Sequence, residues 1–138
     1  MLSEEQRERL VGATVRVVLA VRRDYLSSPG SNVLKHWDQI QARMLGAART
    51  ATSVGEWFTL LVRRLQIQAP SRELAAAEAA LRAEVAAVPL AAWLVLVETE
   101  YGDIIARARL ESERRREEAA ASKLPGAAAQ PLETEEPL

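Results

Sequence analysis

Apolar side chains recur at helical spacing along almost the whole chain, and no stretch alternates apolar with polar over a β-branched run. A strand needs that alternation to bury one face, so the pattern predicts an all-α fold. Serine caps, prolines and glycines then cut the pattern into segments.

The first helix is expected over Ser3–Leu26. Ser3 can cap it with Gln6 reaching back, and Glu4 and Glu5 favour the positive end of the helix dipole. Leu10, Val11, Val15, Val17, Val18, Val21 and Tyr25 form its broad apolar side, with Arg9, Arg16 and Arg23 opposite. Ser27 to Asn32, with Pro29 and Gly30 adjacent, breaks the chain. A second helix is expected from Asn32 to about Ala51, with Val33, Trp37, Ile40, Met44, Ala47 and Ala51 as its core stripe. Ser53 and Glu56 have the spacing of a capping box for a third helix reaching Ile67. Trp57, Phe58, Leu61, Val62 and Leu65 share one face of it. Leu60 and Ile67 lie off that face, which predicts that this helix is central or contacts two neighbours.

Pro70 ends that segment, and Ser71 opens an alanine-rich fourth helix to about Ala87. Pro89 suits the start of a fifth, where its missing N–H would be unpaired anyway. Leu90–Val97 is apolar all round and is expected to be buried. Arg107–Glu118 is charged all round, with i,i+4 pairs Arg107–Glu111, Arg109–Glu113, Glu111–Arg115 and Arg114–Glu118. That part is expected to reach into water or to dock on a partner. The prediction is a compact bundle of about five helices over residues 1–121, followed by a disordered acidic C-terminal tail over 122–138.

Composition narrows the chemistry. The 138 residues include no Cys and one His, which excludes disulfides, thiolate metal sites and cysteine nucleophiles. Net charge is -1, so no bulk attraction to nucleic acid or membrane follows. Almost all the basic charge is Arg, suited to planar contacts with carboxylates or phosphates. The longest apolar run, Val85–Val97, contains Pro89 and falls short of the roughly 18 residues of a spanning helix. The N-terminus has no secretory pattern, and a cytoplasmic location with no membrane contact is expected.

No catalytic constellation emerges. His36 stands beside Lys35 and Trp37 without a carboxylate or nucleophile placed to work with it, so a structural role is expected. Glu98, Glu100 and Asp103 form an acidic knot around Tyr101, but a cation would need further oxygen ligands. Neither metal nor cofactor is expected. Gly102 marks a kink or a close crossing. Gly12 and Gly46, both inside helices, are expected at close helix–helix contacts. Ser53–Ala87 has the outline of a helix-turn-helix, but its second helix offers only Ser71 and Arg72 for base contact, with Glu73 towards phosphate. Trp37, Trp57 and Trp93 fall on apolar stripes and are expected in the core.

The best candidate surface is basic: Arg9, Arg16, Arg22 and Arg23 on the first helix, joined by Lys35, Arg43 and Arg49 if the second helix is adjacent. Spaced cations can follow a phosphate backbone without reading sequence, although charged helix faces are commonly just solvated. Arg107, Arg109, Arg114 and Arg115 mark a candidate partner-docking helix. The expected function is a non-enzymatic helical protein–protein interaction module, a subunit or adaptor of a larger assembly or a homo-oligomer. The alternative is a small helical subunit of a nucleoprotein complex that touches the phosphate backbone through Arg.

Overall fold

The structure, a computed structural model, describes residues 2–123. These residues form five helices and no strand: α1 (Glu4–Leu26), α2 (His36–Ala48), α3 (Val54–Arg64), α4 (Arg72–Val85) and α5 (Leu90–Lys123). The all-α expectation holds. The expected tail lies outside the described residues, apart from Ser122 and Lys123, which belong to α5. The chain divides into two units, residues 1–108 and residues from 109 onward, and α5 begins in the first and ends in the second.

Local chemistry sets most helix ends. Ser3 Oγ accepts from the Gln6 backbone N–H (3.1 Å), and the Ser3 N–H donates to Gln6 Oε1 (2.9 Å), completing the capping box. Ser53 and Ser71 cap α3 and α4 in the same way, accepting from the N–H groups of Glu56 and Leu74. Glu56 departs from the expected box: its carboxylate accepts from the backbone N–H of Thr52 (2.5 Å), one residue before the cap. That hydrogen bond, with the one from the Thr52 hydroxyl, holds its pKa below the ordinary value. α3 stops three residues earlier than expected. Gln66 adopts φ 60°, and the N–H groups of Gln66 and Ile67 turn back to the carbonyls of Arg63 and Val62, a Schellman closure that buries Ile67.

α2 starts three residues later than the sequence predicts, with Lys35 in place of Asn32 at the N-cap. Asn32 Oδ1 does accept from a backbone N–H, that of Lys35, but this closes a turn before the helix begins. Val33 and Leu34 are therefore outside the core stripe, and Leu34 is 96% exposed. Tyr25 fixes the connection, its hydroxyl accepting from the Asn32 N–H (2.8 Å).

α3 contacts two neighbours, α2 and α4, as its second apolar face predicts, while the central helix of the first unit is α1. Leu10, Val11, Val17, Val18, Ala20 and Val21 are all buried, although they point to different sides of the helix. α1 contacts α2 and, more extensively, α4. Asp24 near its end accepts from the Ser71 N–H that opens α4 (2.7 Å), so α4 runs back antiparallel along it. The first half of α5 also runs back along α1. Trp93 Nε1 donates to Thr14 Oγ1 (3.2 Å), and Glu100 meets Arg7, seven residues earlier on α1. Trp93 packs edge-on against Trp57 at 5.1 Å between ring centroids, and both indoles are fully buried. Trp37 is only half-buried, against the same core.

Two further expectations change. Leu90–Val97 is not buried all round: Trp93, Leu96 and Val97 are inside, while Ala91 and Val95 face outward. Gly12 does not serve a close helix contact, because a Cβ placed there would meet nothing within 4 Å, and the same is true of Gly102. Gly102 instead follows a break in α5 at Glu100 (φ -118°, ψ 19°). Thr99 contributes to that break by donating its hydroxyl to the Val95 carbonyl (2.8 Å), a back-bond that bends helices.

In the second unit the charged end of α5 is tied along its own length. Arg114 binds Glu111 (2.5 Å) and Glu118, and Arg115 Nε binds Glu111 (3.0 Å). Hydrogen bonds from Arg114 and Arg115 hold Glu111 below its ordinary pKa, and Arg114 is raised in turn by Glu111. Leu110 is exposed, as is every residue from Glu113 to Ser122.

Candidate interaction surfaces

The acidic knot read from the sequence is taken apart by arginines. Arg7 Nε donates to Glu100 Oε2 (2.8 Å), and Arg7 Nη2 binds the other oxygen, a bidentate clamp on the break in α5. Arg107 donates to both oxygens of Glu8 (2.9 and 3.1 Å) and binds Asp103 (3.1 Å). Glu98 faces Arg49 at 3.9 Å instead of its neighbours. The hydrogen bond to Glu100 raises Arg7, and the one to Glu8 raises Arg107. Glu8 is lowered, first by the Arg107 hydrogen bond and then by the charges of Arg107 and Arg7. No cluster of three or more metal-ligating side chains occurs among the described residues. Arg7 was not legible as a partner of Glu100, since 93 residues separate the two in sequence.

Beside that clamp lies an apolar groove of about 440 Å³. Leu2, Ala91, Ala92, Val95 and Leu96 line it, with Thr99 and the Arg7–Glu100 pair at one end. Ala91, Val95 and Thr99 are spaced by four residues, so they form one ridge on α5. Val95 is 57% exposed, the rim of the groove rather than its floor. The all-round apolar sequence of Leu90–Val97 was the available signal. Such a run predicts complete burial, and the fold instead leaves Ala91 and Val95 exposed.

The basic residues singled out in the sequence are dispersed by the fold. Arg9 pairs with Glu5 (3.3 Å) and Arg23 with Glu73 of α4 (2.7 Å), so two members of the α1 stripe are engaged by carboxylates. Arg22 turns to α2, where its Nε donates to His36 Nε2 (2.9 Å) and its guanidinium lies 5.1 Å from the centre of the Trp37 ring. His36 Nδ1 is 2.8 Å from the Val33 carbonyl oxygen, so Nδ1 carries the proton and both ring nitrogens have structural partners. Arg16, Lys35 and Arg43 are exposed. Arg107 belongs to the α1–α5 charge network, Arg114 and Arg115 to the end of α5, and Arg109 is exposed on α5.

The fold adds one basic feature that spacing did not give. Residues 32–69, which hold α2 and α3, carry Lys35, Arg43, Arg49, Arg63 and Arg64 against Asp38 and Glu56, a net of +3. All five cations are exposed. Trp57 and Arg64, two turns apart on α3, both reach the same short stretch of α2. Trp57 Nε1 donates to the Met44 carbonyl (3.1 Å), and Arg64 Nη1 lies 3.1 Å from where a Cβ on Gly46 would stand. Gly46 thus does mark a close approach, though by a side chain and not by a helix backbone.

No single helix among the described residues is long and apolar enough to cross a membrane. Compared with known proteins, the chain matches no family model, no curated sequence and no solved structure.

Proposed function

We propose that this chain is a non-enzymatic helical interaction module, a subunit of a larger assembly, and that it joins a second copy of itself through the groove between α1 and α5. The carrying observation is the groove itself: about 440 Å³ and lined mostly by apolar side chains, with Arg7 and Glu100, the charged groups lining it among the described residues, paired to each other. An apolar furrow whose charges are satisfied gains by losing water and offers no reacting group. A second copy fits because one face carries both parts of a self-complementary contact. The exposed Val95 ridge is a knob, and the furrow beside it, between Ala91, Ala92 and Leu2, is a hole. A two-fold axis places each ridge in the other furrow.

The test is sedimentation equilibrium of the full chain and of Val95→Glu. The expected result is a dimer for the native chain and a monomer for the variant, with unchanged helical circular dichroism because position 95 is exposed. A native chain that stays monomeric across the micromolar range, or a variant that dimerises as well, overturns the groove contact.

A second reading, a nucleic-acid-associated subunit, is favoured by the +3 charge of residues 32–69 with all five cations exposed. It requires binding to a short labelled duplex or single strand that weakens steeply between about 50 mM and 200 mM salt. Binding that ignores salt rules it out.

A further inference from the structure

The geometry points to a phosphate-binding site at the α2–α3 crossing, made by Arg43, Arg49 and Arg64 around Gly46 and suited to the sugar–phosphate backbone of a nucleic acid. It deepens the nucleic-acid reading and rests on it. Arg43 lies one helical turn before Gly46 and Arg49 one turn after it, so the two arginines flank Gly46 along α2. α3 delivers Arg64 to the same place, its Nη1 at 3.1 Å from the would-be Gly46 Cβ. A Cβ at that point would press on the guanidinium, which would have to give way by a few tenths of an ångström.

Several arginines of the first unit are met by carboxylates of a neighbouring helix: Arg7 by Glu100, Arg23 by Glu73, Arg107 by Glu8. Here α3 brings Arg64 to Gly46, one turn along α2 from Arg43. Arg43 and Arg64 have no acidic partner among the described residues, and Arg49 has only Glu98 at 3.9 Å, with both side chains largely in water. Helix ends account for part of the placement. Arg49 caps α2, and Arg64 sits in the last turn of α3, where C-terminal carbonyls carry about half a negative charge per helix. Planar guanidiniums bind phosphate oxygens bidentately, and each phosphate contact releases condensed counterions. A phosphodiester backbone is favoured over a carboxylate surface because its charges are evenly spaced and its contacts need no matching side-chain pattern.

The test is fluorescence anisotropy of labelled duplex and single-stranded oligonucleotides with the full chain, with polyglutamate as an acidic control. Arg43→Glu/Arg64→Glu is compared with Arg9→Glu/Arg16→Glu, which changes net charge equally on α1. The expected result is binding by the native chain and a loss of about tenfold or more in the α2–α3 variant. The slope of log affinity against log salt is expected to shrink by about 1.8 for duplex, two contacts' worth. The α1 variant is expected to change by less than about threefold. Equal loss in both variants, or no loss in the α2–α3 variant, overturns the site and leaves the nucleic-acid reading standing. No binding by the native chain at about 50 mM salt overturns both. Polyglutamate binding as tightly as the oligonucleotides overturns the phosphate assignment in favour of an acidic protein surface.

Discussion

Thr14→Val is the sharpest probe of how the first unit holds together. Thr14 is fully buried in the middle of α1, and its hydroxyl makes two contacts: it donates to the Leu10 carbonyl (2.7 Å) and accepts from Trp93 Nε1 (3.2 Å). Valine keeps the shape and removes both. The Leu10 carbonyl loses little, because it still accepts the α-helical N–H. The Trp93 indole loses its acceptor inside a core that excludes water, and a buried donor left unmade costs about 1–3 kcal/mol. A methyl in place of the hydroxyl returns up to about 0.8 kcal/mol of apolar burial. The net expectation is a destabilisation of about 1–2 kcal/mol, with Tm lower by about 4–10 °C in a unit of this size. Urea unfolding followed by far-UV circular dichroism measures it, and an unchanged m-value certifies that stability alone moved. The Trp93→Phe background supplies the cycle. With no indole N–H to orphan, Thr14→Val should there be neutral or slightly stabilising. A coupling energy under about 0.3 kcal/mol, within ordinary additivity, would refute the account of this hydrogen bond.

Gly12→Ala should stabilise the chain by close to 1 kcal/mol, because the new methyl meets nothing within 4 Å and alanine is the better helix former; a lower Tm would show that the position is crowded. Acid should weaken the fold through Glu8, Glu56 and Glu111, all held below their ordinary pKa, Glu8 chiefly by the Arg107 hydrogen bond. A depressed carboxylate stabilises fully above its unfolded pKa of about 4.3, and that contribution disappears as pH falls through the lower folded value. Denaturation midpoints measured downward from about pH 5 should therefore fall, and Glu8→Gln should flatten the decline. A Glu8→Gln profile as steep as that of the native chain would contradict the Arg107 assignment.

The basic crossing and the groove could each be foreseen only in part. Arg43 and Arg49 stand out on any helical projection of residues 36–49. Arg64 does not, since its position relative to Gly46 depends on how α3 crosses α2. A glycine inside a helical pattern was the one available clue, and it was shared by Gly12, which has open space around it. The groove is similar. Val95 sits in an unbroken apolar run, so its sequence speaks for burial, and only the fold leaves that side of α5 without a covering helix.

What the sequence determined by itself is local. Ser3, Ser53 and Ser71 begin their helices because each side chain caps an N–H three residues on, and Pro70 and Pro89 bound α4 because a proline cannot supply a mid-helix N–H. These interactions span a few residues, so spacing suffices to find them. The central place of α1, the break at Glu100 clamped by Arg7 from 93 residues earlier in the chain, and the pairing of Arg23 but not Arg43 and Arg64 were decided by the tertiary structure. Charge pairing and groove formation depend on distances between helices. Helical periodicity gives the face on which a side chain lies and not the neighbour that comes to meet it.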